Sequence, residues 1–160
     1  MNTTFSNDQN HINLVIGYGD KKKSDEGAGC HVAELIKQQK SENIEAVSVS
    51  NLTPSLASLI VQAKIVIFIN TYELFENMQS EIIVKHFLAN HELTNTEIDY
   101  PGSPDSLLSF VNATYDDEPN AFWIQIPATN HYNGDDFSNL TQQAIEDTID
   151  YLKQEKIITH

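Results

Sequence analysis

The sequence predicts an α/β fold: a single three-layer domain with a mostly parallel, twisted sheet and helices on both faces. Three observations predict it. Leu14-Val15-Ile16 and Ile65-Val66-Ile67-Phe68-Ile69 are continuous apolar runs rich in β-branched residues, as strands buried on both faces require. Between them Ala28, Val32, Leu35 and Ile36 recur at helical spacing, the mark of a helix with one face on a sheet. The resulting order, strand–helix–strand–helix–strand, belongs to a parallel, doubly wound sheet.

The elements follow in order. A first strand near 12–17 ends in Gly17 and Gly19, which permit a sharp departure of the backbone. The loop Asp20–Ser24 is polar, and Ser24 or Asp25 can cap a helix over about 26–40. Asp25 and Glu26 thereby stand at a helix start beside the C-terminal end of a strand, the edge where open α/β sheets build their sites. As caps they would also complement the helix dipole. Residues 44–49 alternate apolar and polar as a second strand, and Thr53-Pro54 opens a short helix to about 62. The run at 65–70 is the third strand, expected beside the first at the sheet centre. Residues 72–99 leave two readings open, since Glu81–Leu88 suits either a strand or a helix. His86 and His91 are five apart, which is not the spacing that puts two histidines on one helix face. Ser103-Pro104 starts a helix over 103–115 with Leu107, Leu108, Val111 and Tyr115 on its apolar face. A last strand at 122–126 closes at Pro127. After the polar loop Ala128–Phe137, Ser138 or Asn139 caps a terminal helix over 138–153.

Composition excludes several classes. The 160 residues suit one domain, 11–155, after a polar N-terminal tail, 1–10. With 23 acidic against 9 basic residues the net charge is −14, and every basic residue is lysine. No nucleic acid and no membrane is expected as a partner, because both demand a basic footprint. The lack of arginine also removes the usual fork for clamping carboxylates or phosphates. Cys30 is the only cysteine, so there is no disulfide framework and no cysteine-based zinc site. It reads as a small residue packed on the sheet. Without an apolar leader or a bilayer-length run, a cytoplasmic protein is expected. The Asn-x-Thr sequons at Asn2, Asn51, Asn112 and Asn139 then carry no glycosylation meaning.

Gly17-Tyr18-Gly19 begins like a dinucleotide loop, but Lys22 holds the third glycine position and two carboxylates would repel a pyrophosphate. No cofactor site follows. There is no Walker loop, no G-x-S-x-G elbow and no H-E-x-x-H. Cys30 and His31 are adjacent on a helix and point about 100° apart, so they form no dyad. The stretch Gly17-Tyr18-Gly19-Asp20, a spacer, then Asp25-Glu26-Gly27-Ala28-Gly29, instead resembles the first motif of the hydrogenase maturation endopeptidases. These enzymes trim the C-terminal tail from the nickel–iron hydrogenase large subunit. Asp20 stands where that family usually has asparagine. Leu52-Thr53-Pro54-Ser55-Leu56-Ala57 is similar to the family segment before the third strand. Phe68-Ile69-Asn70-Thr71 matches the end of that strand, and Tyr100 through Ser103-Pro104 to Leu107-Leu108 matches the later helix start. The resemblance covers about residues 11 to 152, its segments in the family's order.

The resemblance implies three nickel-ligand positions, Glu26, Asn70 and Tyr100, converging at the C-terminal edge of the sheet. In the family they are a glutamate, an aspartate and a histidine, so only Glu26 retains its ligand. A neutral amide binds a divalent metal less well than a carboxylate, and a phenol with pKa about 10 must lose a proton before it competes with imidazole. Weak or absent nickel is therefore expected. Asp99, Glu73 and His131 stand as possible substitute ligands. No catalytic residue is assigned. The implied function is a catalytically impaired or non-catalytic homologue that binds a hydrogenase large-subunit precursor or another protein's C-terminal tail. The alternative is an active endopeptidase with substitute metal ligands.

Overall fold

The computed structural model describes residues 12–75, 79–87 and 102–158. Five strands, β1 (Ile12–Tyr18), β2 (Ile44–Val49), β3 (Ala63–Glu73), β4 (Ile83–Phe87) and β5 (Asn120–Ala128), form one sheet in the order β2-β1-β3-β5-β4. All pairs are parallel except β4 with β5. Among the described residues four helices accompany them: α1 (Ala28–Gln38), α2 (Ala57–Ile60), α3 (Pro104–Tyr115) and α4 (Asn139–Gln154).

The period of two along the central strands divides their side chains between two cores. Val15, Ile67, Ile69, Ile124 and Ile126 pack with Val32 and Ile36 of α1 and Ala144, Ile145 and Leu152 of α4. Leu14, Ile16, Val66 and Phe68 pack on the other face with Ile60 of α2 and Leu107, Leu108 and Val111 of α3. Three layers result, as the sequence implies, and β3 lies beside β1 at the centre.

Several boundaries differ from the sequence reading, each for a physical reason. Helix α1 begins two residues late because a 3-10 turn, Ser24–Gly27, precedes it. The second helix is likewise split into a 3-10 turn, Pro54–Leu56, and α2. Strand β5 runs through Pro127 rather than closing there. Its pairing with β4 ends at Gln125, so beyond that point only β3 needs partners and the missing proline N–H faces an open side. Ile83–Phe87 is an antiparallel edge strand, which settles the two readings of that stretch. Its short length and its lysine suit an exposed edge. The proposed tail, 1–10, lies outside the described residues. Among the described residues no helix is long and apolar enough to cross a membrane.

Helix α1 lies unusually close to the sheet. A Cβ on Gly17 would stand 2.1 Å from the Gly29 carbonyl oxygen, and one on Gly29 would stand 2.2 Å from the Ile69 carbonyl oxygen. Only glycine allows this stacking of β1 on α1 on β3. It brings the turn that carries Glu26 over the end of β3.

Candidate functional site

Strand order places β1 and β3 side by side while the chain leaves β1 toward β2 and then crosses to β3. The C-terminal ends of β1 and β3 are therefore a topological switch point, where open α/β sheets leave a crevice. Glu26 stands at this edge on the turn after β1, and Asn70 stands there on β3.

The loop after β1 is sewn to the loop after β5. Ser24 N–H donates to the Gly134 carbonyl at 2.8 Å, Gly134 N–H to Lys22 at 2.8 Å, and Asp25 N–H to Asn130 at 3.0 Å. The Ser24 hydroxyl adds a bond to the Tyr132 carbonyl at 2.8 Å. The Asp25 carboxylate sits inside the seam with no exposed surface. Its Oδ2 accepts from Thr129 N–H at 2.9 Å, Asn130 N–H at 2.8 Å and the Ser138 hydroxyl at 2.8 Å. Its Oδ1 accepts from Ser138 N–H at 2.8 Å. Burial alone would raise its pKa. The amide bonds from Ser138, Asn130 and Thr129, with the Ser138 hydroxyl, outweigh that and hold it below the usual carboxylate value.

This corrects the capping role read for Ser24 and Asp25. Lys23 is the residue before the turn and makes no side-chain cap bond. Ser24 takes a left-handed φ of 49°, and both side chains are spent on the other loop. Sequence reasoning missed Asp25 as the latch of the site.

The seam sets His131 against Glu26, with Nδ1 3.0 Å from Oε2. His131 Nε2 is buried and has no hydrogen-bond partner. On the far side of the crevice, Asn70 Oδ1 accepts from the Trp123 indole N–H at 2.8 Å. Tyr18, between the two glycines of the first motif, is half-buried. Burial raises its phenol well above the ordinary range, contact with Trp123 opposes this, and the charge of Asp105 adds to it. Tyr18 is thus a neutral phenol at physiological pH. Burial likewise pushes the Cys30 thiol up, among the Gly17, Gly19 and Val49 carbonyls. It is a packed residue rather than a nucleophile.

Comparison with solved structures decides the fold relationship. The chain superposes on the NiFe hydrogenase maturation protease HycI from Thermococcus kodakarensis KOD1 with a TM-score of 0.68 and 16% identity, covering 90% of this chain and 91% of that one. The fold is that of the hydrogenase maturation proteases. A hydrogenase 2 maturation peptidase from a Thaumarchaeota archaeon gives a TM-score of 0.69 at 16% identity, over 92% of this chain and 99% of its own. The hydrogenase maturating endopeptidase HybD from E. coli gives 0.65 at 14%, over 90% and 93%. No protein-family model matches the sequence, and a comparison with curated proteins finds no relative.

Within the maturation-protease fold, the residues assigned to a metal stand as follows. Glu26 holds its carboxylate toward His131, and Asn70 has its oxygen committed to Trp123. Tyr100 and Asp99 lie outside the described residues, as does His91. His86 lies on β4, stacked on Phe122 at 4.2 Å with Nε2 2.8 Å from Asn120 Oδ1. Glu73 ends β3, exposed. Among the described residues no three His, Cys, Asp or Glu side chains gather as a metal site. Among the described residues the donors at this edge are one carboxylate, one imidazole nitrogen and an amide oxygen already accepting the Trp123 indole N–H.

Proposed function

We propose that this protein receives the C-terminal tail of another polypeptide at the crevice between β1 and β3, and that it does not cleave it. The bond from Trp123 to Asn70 carries this reading. An amide is a weak oxygen donor to begin with, and here its oxygen already accepts the indole proton. With Tyr100 a phenol, Glu26 is the one family-type ligand left, and nickel binding is weak or absent. The partner is a hydrogenase large-subunit precursor or another protein's C-terminal tail, as the resemblance to the hydrogenase maturation endopeptidases implies; the structural neighbours are named as hydrogenase maturation proteases. The single unpaired thiol, Cys30, suits the reducing cytoplasm.

His131 favours a second reading, an active endopeptidase with substitute ligands. A ring held through Nδ1 by a carboxylate, with Nε2 unpartnered, is how metal-bound histidines are oriented. Calorimetric titration with nickel at neutral pH separates the two. The first reading expects no saturable binding by the unaltered protein, and recovery in the double variant Asn70→Asp, Tyr100→His. Tight binding by the unaltered protein, abolished in His131→Ala, would establish the second. Binding of a tail-bearing precursor without metal, measured by size-exclusion co-elution, is expected only from the first.

A further inference from the structure

We propose that a pocket at the N-terminal edge of the sheet, opposite the site above and independent of it, binds a small organic anion that also carries a hydroxyl group. The pocket has a volume of about 540 Å³ and is lined by Asn13, Lys40, Glu42, Lys64, Lys156 and Ile157, among others. That volume is in the range of small-molecule sites. Three of the chain's nine basic residues meet here, in a protein with a net charge of −14. Among the described residues the ion pairs involve Lys21 and His131, and none of these three lysines.

Backbone geometry makes the gathering informative. Lys40 follows α1 and Lys156 follows α4, and both hold left-handed backbone, with φ of 52° and 59°. Glycine is the ordinary residue at such a helix end, because a side chain there is strained. Complementing the helix dipoles does not explain the lysines. Lys37 and Lys153 already occupy the last turns of α1 and α4. Two side chains are thus kept at a conformational cost at the ends of two neighbouring helices, and both line the same pocket. Asp116 ends α3 in the same backbone away from this pocket, so what sets the two lysines apart is that both line one cavity.

Asn13 refines the ligand. Its Nδ2 donates to the Ile157 carbonyl at 3.0 Å, which fixes the amide, and its Oδ1 is buried with no donor. A bare anion would leave that oxygen unsatisfied. A hydroxyl beside the anionic group would satisfy it while the ammonium groups meet the charge. Glycerol phosphate and malate share this chemistry, one through a phosphate and the other through carboxylates.

The test is an NMR titration of the full chain with each compound, against sodium chloride at matched ionic strength. The expected result is saturable shifts at Asn13, Ile44 and Ile157 with one of the two organic anions and not with chloride. The compound that binds names the anionic group. The double variant Lys40→Gly, Lys156→Gly is expected to weaken binding at least tenfold while its Tm equals or exceeds that of the parent. Shifts reproduced by chloride, no saturable shift with either compound, unchanged affinity in the double variant, or a lowered Tm would each overturn the proposal.

Discussion

Replacing Asp25 tests whether the seam between the two loops holds the site together. In Asp25→Asn one oxygen remains to accept hydrogen bonds, but the charge is lost and an NH2 group faces a donor. At risk are the bonds from Thr129 N–H, Asn130 N–H and the Ser138 hydroxyl on Oδ2, and from Ser138 N–H on Oδ1. A hydrogen bond to a charged group contributes about 1.5–3 kcal/mol net, and a stranded buried donor costs a similar amount. These terms share one carboxylate and do not add. The expected loss is about 2–3 kcal/mol for Asp25→Asn and about 4 kcal/mol for Asp25→Ala. Urea unfolding at pH 7 reads it as a lower midpoint with an unchanged slope. The pH dependence supplies an independent sign. Asp25 titrates lower in the folded chain than in the unfolded one, so its contribution is fully present above the unfolded pKa of about 3.9. It is lost as the pH falls through the folded value. The gap between parent and Asp25→Asn should hold from pH 7 down to about 4 and close below that. A variant within about 0.5 kcal/mol of the parent at pH 7, or a gap that persists in acid, would refute the latch.

Gly29→Ala should abolish soluble expression or lower Tm steeply, because its Cβ would stand 2.2 Å from the Ile69 carbonyl oxygen and helix α1 would have to lift off the sheet. Trp123→Phe removes the donor to Asn70 and should cost about 1 kcal/mol by urea unfolding. It should gain no nickel affinity, because an amide without its indole partner is still a poor ligand. Ser138→Ala removes both the cap to Thr141 N–H and the hydroxyl on Asp25, and should destabilise by about 1–2 kcal/mol.

What the sequence revealed of the fold was what is written locally. Leu14–Ile16 and Ile65–Ile69 are buried on both faces, so their apolar runs had to be unbroken. Ser103 and Ser138 cap α3 and α4 through Ser106 N–H and Thr141 N–H, within three residues of themselves. The strand at 83–87 stayed open because an edge strand with one covered face carries only a partial alternation. At the site the limit was distance along the chain. The partners of Asp25 lie 104 to 113 residues away, His131 lies 105 from Glu26, and Trp123 lies 53 from Asn70. No local spacing reports such contacts. His131 was reachable only as a histidine in the right loop, and Asp25 looked like any acidic residue at a helix start.

If, as proposed, this maturation-protease fold keeps its crevice without cleavage chemistry, it holds a tail and leaves it uncut. Intact-mass measurement tests this most directly, on a nickel–iron hydrogenase large-subunit precursor incubated with the unaltered protein and nickel. The precursor is expected to keep its full mass at every time point while co-eluting with the protein. Release of the C-terminal tail, with the matching loss of mass, would contradict the proposal.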